Sequence, residues 1–353
     1  MSVLIKGKQV ATPSELIETL TLESLKTDAL FRGQSDSSFR LLPNFFRPEK
    51  IEQLIDQYPS HHLMEQWIRS FGFEQAIYDE LPPYNSPILT PQKILLFKSL
   101  MPIFSLYRVI MVYNYHLHKY HEDNFGCLIT DKKSLTSRDS TFWTKKENFI
   151  WFVKTTLPRL LSISSLDGKL IKDGIIDEDL TGIDETYPQH YDASTAALDW
   201  TYNFKIAIFF ALNIWGHIDE TSGLHLTSRQ ISNSNSLSIF VYEQIGGEKC
   251  PISIKPKTDL IYNERAEAQE GTFTYFSSPC SFYLKYGRFP SIDDYYHAIE
   301  IGKLPKTFIL KKYDLPLTKS NQKWLLNYLN EHEINQKTLR LYNKNKFPVT
   351  SQI

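Results

Sequence analysis

The spacing of apolar residues changes along this chain of 353 residues, and this change limits the possible folds more than any other sequence feature. Between residues 48 and 160, segments such as HHLMEQWIRSF and ILLFKSLMPIFSLYRV repeat their apolar positions at about 3.6-residue spacing, which predicts helices. After about residue 185 the pattern is typical of strands, with short runs such as LSIFVYEQI and KTFILKK. One strong helix is predicted among these strands, at residues 202–214.

The first 47 residues are also mixed. The run TPSEL places a proline and a glutamate in the first turn of a predicted helix, and a short strand is expected to lead into the tripeptide FRG. We therefore predict an α+β fold, of mixed α/β character, for the whole chain. Its core is predicted to combine residues 1–47 and 186–353, with a mainly helical insertion at residues 48–185.

Composition removes several classes of protein. The 39 basic and 40 acidic residues leave a net charge of −1, so the chain as a whole does not attract nucleic acid or acidic lipid. Three widely separated cysteines exclude a disulfide scaffold and a four-cysteine zinc site, and they favour a reducing, cytoplasmic compartment. The longest apolar stretch, residues 206–215, is about half of what a membrane span needs, and the start lacks the apolar region of a signal peptide.

Three histidines near the end of a predicted helix are the candidates for metal ligands that the sequence offers. His116, His118 and His121 lie close together, but His116 and His118 point to different faces of a helix and no cysteine completes a set of ligands. A solvated helix face is the favoured interpretation, so we expect no metal.

The first candidate site is Phe31-Arg32-Gly33-Gln34, at the end of a predicted strand. An arginine fork binds phosphate through paired hydrogen bonds, and a following glycine lets a ligand approach the backbone. A structural interpretation stays open, in which the arginine pairs with a carboxylate beside a turn glycine.

The second candidate site precedes the predicted helix at residues 202–214. Thr201 or Asp199 is suited to cap that helix, but a cap does not explain the other polar and aromatic side chains crowded there. A block of this kind before a helix N-terminus suits an anionic or nucleotide ligand, and a packed aromatic corner is the alternative. Its side chains are Gln189, His190, Tyr191, Asp192, Ser194, Thr195, Asp199, Trp200 and Thr201.

The third candidate site is the sequence NERAEAQEGTF at residues 263–273. If this segment is extended, Arg265, Glu267 and Gln269 share one face, because side chains alternate along a strand. If it is helical, Arg265 and Gln269 still meet at positions i and i+4. Gly271 is then expected to open a strand, and an exposed charged turn is the alternative.

Together the three blocks resemble the FRG domain, a bacterial family named for the tripeptide present here at residues 31–33. The family's central signature, approximately Q-H-Y-G-x-P-T-R-L-L-D-W-T before an apolar helix, is matched by QHY, by LDWT and by a following FFA. The third family block, R-x-x-x-Q-x-G-x-F, is present in full. The family's Gly, Pro, Arg and second Leu are replaced here by Asp192, Ser194, Ala196 and Ala197. The missing arginine implies an altered substrate contact or a divergent subfamily.

The order of the blocks is also similar, more distantly, to that of the ADP-ribosyltransferase fold, which implies a split β-sheet core and NAD as the substrate. On this resemblance Arg32, with Gly33 and Gln34, would hold the pyrophosphate. Residues lining the nicotinamide and its ribose would be Thr195, Trp200 and Thr201, with Tyr191 or Trp200 stacking on a ring. Catalytic roles would fall to Glu267 as the first choice of carboxylate, Asp199 as the second, Gln269 orienting a nucleophile and His190 as cofactor ligand or base.

The activity that the resemblance implies is NAD-dependent ADP-ribosyl transfer to a macromolecular acceptor, which is RNA, DNA or protein. Such an enzyme would act as an intracellular toxin or phage-defence effector and would need an antitoxin or inhibitory partner. Two other functions stay open: a nucleotide-binding sensor without catalysis, and a nucleic-acid-processing hydrolase using His190 and Asp199. Lysines interleaved with aromatic residues either contact a polyanion or lie solvated on an edge strand; they are Lys303, Lys306, Lys311 and Lys312.

Overall fold

The structure is a computed structural model, and it describes the two ends of the chain more completely than the middle. The described residues are 4–26, 28–59, 105–106, 108–120, 122–123, 144–145, 194–212, 236–246, 250–255 and 263–341.

Seven strands and seven bounded helices lie in these ranges. The strands are β1 Lys8–Gln9, β2 Leu30–Gln34, β3 Leu198–Thr201, β4 Ser236–Gln244, β5 Ile252–Ile254, β6 Gly271–Phe276 and β7 Phe308–Pro316. The helices are α1 Pro13–Ser24, α2 Pro48–Asp56, α3 Phe204–Ala211, α4 Glu264–Ala268, α5 Pro279–Tyr286, α6 Ile292–Glu300 and α7 Lys319–Glu331. Residues 108–120 are also helical.

The chain divides into two compact units, each discontinuous in sequence. The first unit comprises Met1–Leu42, Ala197–Ser277 and Ser291–Lys346, and the second comprises Pro43–Ala196, Ser278–Pro290 and Phe347–Ile353. The sequence-based division at residues 47 and 185 stays a prediction, since much of the chain between 60 and 193 lies outside the described residues.

The first unit contains a single seven-stranded sheet in the order β1-β7-β4-β2-β3-β6-β5. The pair β1–β7 is parallel and every other pair is antiparallel, so the sheet is mixed and open. Its central strands come from both ends of the chain. The predicted α+β class is therefore confirmed for the described residues.

The main core covers one face of this sheet. Alternate residues of the strands, including Phe31, Ile239 and Leu315, are buried against α1, α3 and α7. The runs LSIFVYEQI and KTFILKK are strands as predicted, in β4 and β7, because their alternating apolar side chains fill this face. The predicted helix at 202–214 is described as α3, and nearly all its side chains are buried.

A buried polar cluster fixes the N-terminal edge of the sheet. The Asp314 carboxylate accepts hydrogen bonds from the hydroxyl of Ser238 and, at 3.3 Å, from Nε2 of Gln9. It also lies 3.5 Å from Nζ of Lys312, which donates to the Ser37 carbonyl oxygen at 2.5 Å. Each buried polar group thus has partners, which is the condition for keeping charge inside a protein.

The second unit is described only in part. Phe45 packs against Tyr113 with ring centroids 4.3 Å apart, and Phe46 stacks on Phe289 at the same separation. Burial lowers the pKa of His116, whose Nε2 lies 2.8 Å from the Leu54 carbonyl oxygen. In the part of the chain that the structure describes, no helix is long and apolar enough to cross a membrane.

Candidate functional site

The sheet is weakest between β2 and β3. These two strands share one register pair, Phe31 with Thr201, whereas β2 pairs with β4 at five positions and β3 with β6 at four. The register between β2 and β3 consists of this one pair among the described residues. We refer to the stretch beyond it, where β2 and β3 carry the first two sequence blocks, as the opening.

Arg32 spans this opening with its side chain. Its Nη1 donates to the backbone carbonyl oxygen of Asp199 at 2.5 Å, and the same nitrogen lies 3.8 Å from Oδ2 of the Asp199 carboxylate. The Arg32 side chain is 18% exposed and that of Asp199 is 43% exposed. Two residues separated by 167 positions in sequence thus form a cation–anion pair that solvent can still reach.

The neighbours of Asp199 on β3 point elsewhere. Trp200 is buried, its Nε1 donates to Oγ1 of Thr274 at 2.9 Å, and its ring lies 5.5 Å from that of Tyr242. Side chains alternate along a strand, so Trp200 and Asp199 face opposite sides of the sheet. The predicted stacking of Trp200 on a ligand ring has no support from this packing.

Thr201 links β3 to the start of β6. Its Oγ1 donates to the Gln269 carbonyl oxygen at 2.8 Å and accepts from the backbone N–H of Asn203 at 3.0 Å. The predicted capping of the following helix by Thr201 or Asp199 is wrong, because the cap is Asn203, whose side chain accepts from the N–H of Lys205. The helix begins only at Phe204 because β3 continues to Thr201.

The third block is helical, so Arg265 and Gln269 lie at positions i and i+4. Arg265, in α4, donates from Nε to the Arg340 carbonyl oxygen at 2.9 Å. Gln269, just after α4, donates from Nε2 to the Leu339 carbonyl oxygen at 3.3 Å. Both side chains are buried and hold the C-terminal turn. Glu267 is exposed on the same helix. The structure thus gives Gln269 a structural contact and does not bring Glu267 to Arg32 by any described contact.

Gly33 is needed for packing. A Cβ at this position would overlap the Ala207 carbonyl oxygen and lie 2.7 Å from the Ala211 nitrogen. Helix α3 therefore lies directly on the β2 backbone at Gly33, which explains a glycine here without any ligand.

Gln34 ends β2 and is 7% exposed. Its Nε2 donates to the Arg40 carbonyl oxygen at 3.3 Å, while its Oε1 has no hydrogen-bond partner among the described residues. Arg40 is in turn held by the start of α6, where its Nη2 donates to Ser291 Oγ at 2.6 Å and to Asp294 Oδ2 at 3.0 Å.

The sequence interpretation did not include this Arg40 anchor. Ser291 and Asp294 form a capping box at the start of α6, and that S-x-x-D spacing is readable in the sequence. The pairing of Asp294 with Arg40, 254 positions away, cannot be read from the sequence. The adjacent Asp293 accepts from the N–H of Leu41 at 2.8 Å, and burial raises the pKa of its carboxyl.

Other predicted site residues belong to the second unit or lie outside the described residues. Thr195 belongs to the second unit, where it is buried and its carbonyl oxygen accepts from the Phe45 N–H at 3.1 Å. His190 and Tyr191 lie outside the described residues. Of the lysines considered for a polyanion, Lys311 binds Glu23 and is 37% exposed, whereas Lys312 is buried. Both lie on β7, which is between β1 and β4 in the sheet and is not an edge strand.

Comparison with protein-family models, with curated proteins and with solved structures finds no match to this chain. The resemblance to the FRG domain and to the ADP-ribosyltransferase fold therefore depends on the motif residues alone. On the geometry alone, the opening presents a guanidinium for a phosphate and a carboxylate for a developing positive charge, side by side.

Proposed function

We propose that the chain binds NAD at the opening between β2 and β3 and transfers its ADP-ribosyl group to a macromolecular acceptor. The observation that carries the proposal is the pairing of Arg32 with Asp199, through which the first two sequence blocks meet by side chains that remain partly exposed. Arg32 is then the ligand of the pyrophosphate, because a guanidinium offers paired donors to phosphate oxygens.

Asp199 is the carboxylate that this geometry favours for the chemical step. It lies 3.8 Å from the Arg32 guanidinium, whereas Glu267 is exposed on α4 without a described contact to either residue. A carboxylate near C1′ of the ribose stabilises positive charge that develops there as the bond to nicotinamide breaks. We therefore replace Glu267 by Asp199 as the first choice.

The proposed reaction breaks the bond between C1′ and the nicotinamide nitrogen, and the bonding electron pair leaves with nicotinamide. A nucleophilic oxygen or nitrogen of the acceptor forms the new bond to C1′ and loses its proton. The acceptor, the role as a toxin or phage-defence effector and the inhibitory partner are implied by the motif resemblance, and they remain part of this proposal.

The test uses NAD labelled on its adenylate, incubated with the purified protein and either cell lysate or RNA. We expect label on macromolecules with the wild type and a loss of about 100-fold in rate with Asp199→Asn, as for removal of one electrostatic stabiliser. Arg32→Lys keeps the charge but removes the fork, so it is expected to weaken NAD binding. Glu267→Gln is the matched control and is expected to retain the wild-type rate.

Other outcomes are equally informative. Loss of transfer in Glu267→Gln with full activity in Asp199→Asn would return the carboxylate role to Glu267. Release of nicotinamide without labelled macromolecules would identify an NAD hydrolase. Saturable NAD binding without turnover would favour a sensor, and the absence of both binding and turnover would overturn the proposal.

A further inference from the structure

We propose that Gln34 accepts a hydrogen bond from the nucleotide that Arg32 holds, so that it selects ligands with an N–H or O–H donor close to an anionic group. This inference rests on the proposed function, because it assigns a second contact of the same site.

The orientation of the Gln34 amide is fixed from the far side. Its Nε2 donates to the Arg40 carbonyl oxygen, and Arg40 is held by Ser291 and Asp294 at the start of α6. Because Nε2 of Gln34 donates to the Arg40 carbonyl oxygen, Oε1 of Gln34 points away from Arg40. The reverse orientation would place two acceptors against each other, which is unfavourable.

The Oε1 atom of Gln34 is a buried acceptor without a donor. The residue is 7% exposed, and no described group donates to this oxygen. Buried polar groups in native proteins are almost always paired, and an unpaired one is unfavourable until a donor arrives. A ligand that supplies the donor removes this penalty and gains affinity from it.

The position of Gln34 decides which donor is within reach. Gln34 and Arg32 are two residues apart on β2, so their side chains leave the same side of the strand about 6.6 Å apart. A dinucleotide presents ribose hydroxyls next to its pyrophosphate, and NAD adds the carboxamide N–H₂ of nicotinamide. Both sources share the required chemistry, a donor beside an anion.

The same sheet contains a matched control. Gln244 ends β4, its Nε2 donates to the Gly246 carbonyl oxygen at 3.2 Å, and its Oε1 also has no described partner. Gln244 lies six positions along β4 from Ser238, the residue that pairs with Gln34. Gln244 itself pairs with Phe308 on β7. Gln244 is less buried than Gln34, but its amide makes the same kind of contact and has no neighbouring Arg32.

The experiment measures the affinity of NAD and of ADP-ribose by calorimetry for the wild type, Gln34→Met and Gln244→Met. Methionine has a similar length and no acceptor of comparable strength. We expect binding to Gln34→Met to be weakened about three- to tenfold, the usual worth of one hydrogen bond, and binding to Gln244→Met to be unchanged. Weakening for both ligands indicates a ribose hydroxyl as donor, and weakening for NAD alone indicates the carboxamide.

Equal affinities of wild type and Gln34→Met overturn this inference while leaving the proposed function intact. A wild type that binds neither ligand overturns both. If Gln34→Met does not fold, the wild type is tested with ADP-ribose analogues that each lack one ribose hydroxyl and with the nicotinic acid analogue of NAD. Loss of affinity for one of them supports the inference, and less than about a twofold change for all of them refutes it.

Discussion

The clearest quantitative expectation concerns Glu23, at the end of α1. Its carboxylate accepts hydrogen bonds from Lys26 Nζ and Lys311 Nζ, both at 2.6 Å, and from the Tyr313 hydroxyl at 2.8 Å. Burial by itself raises the pKa of Glu23, but these three donors outweigh it and lower the pKa from 4.5 to about 2. The cluster joins α1 to β7, and so it joins the N-terminal helix to the sheet.

The sign of the pH dependence follows from the lowered pKa. The folded protein holds the ionised carboxylate more strongly than the unfolded chain does, so the stabilisation is complete above about pH 4.5 and is lost as the pH falls towards 2. One pKa unit corresponds to about 1.4 kcal/mol, which gives an upper value of about 3 kcal/mol. Because the Lys26 and Lys311 side chains are 40% and 37% exposed, solvent screens them, and we expect about 2 kcal/mol.

The assay is urea denaturation of the wild type, Glu23→Gln and Glu18→Gln at pH 7 and at several values down to pH 3. We expect Glu23→Gln to lose about 2 kcal/mol at pH 7 and to show a flatter fall in unfolding free energy below pH 4.5 than the wild type. Glu18 is exposed on the same helix and serves as the control, with wild-type behaviour expected. Parallel pH profiles for wild type and Glu23→Gln would refute the reasoning.

Two further expectations concern motif residues with structural contacts. Gly33→Ala is expected to destabilise the fold by about 3 kcal/mol in the same urea assay, because α3 must move off β2. Gly246→Ala is the control and is expected to lose less than about 1 kcal/mol, because its Cβ meets nothing closer than 3.3 Å. Equal losses for the two variants would contradict this explanation. Gln269→Leu is expected to lose about 1 kcal/mol of unfolding free energy, because the Leu339 carbonyl oxygen loses its donor. The same variant is expected to show faster hydrogen exchange in residues 335–341, measured by mass spectrometry. Unchanged exchange in these residues would contradict the structural role of Gln269.

Local sequence patterns predicted the strongest elements of this fold. Helix α1 begins as the Thr-Pro-Ser-Glu signal predicts, with the Thr12 side chain accepting from the N–H of Glu15. Strands β4 and β7 follow from runs of apolar residues that alternate on the core face. These features depend on neighbours within a few residues, so a single sequence contains the information.

The order of strands depended on contacts that no local pattern specifies. Strand β3 contains only four residues, and it exists through pairing with β6, more than 70 positions later. The local pattern of the segment LDWT instead predicts the polar approach to a helix, with Thr201 or Asp199 as its cap. In the third block, both the extended and the helical arrangement bring Arg265 and Gln269 together, so the sequence left the choice open. The Leu339 and Arg340 carbonyl oxygens that bind these side chains decide it.

The motif residues separate into two groups once their surroundings are known. The packing of α3 explains the glycine at position 33, and the hydrogen bond to Thr274 explains Trp200. The contact with the C-terminal turn explains Gln269. Asp199 makes two contacts with Arg32: its backbone carbonyl oxygen, which any residue would provide, accepts the hydrogen bond, and its carboxylate lies 3.8 Å from the same nitrogen. The carboxylate of Asp199 therefore has a structural role as the ion-pair partner of Arg32. It is also the motif carboxylate that the proposed reaction would use, because 43% of its side chain is exposed.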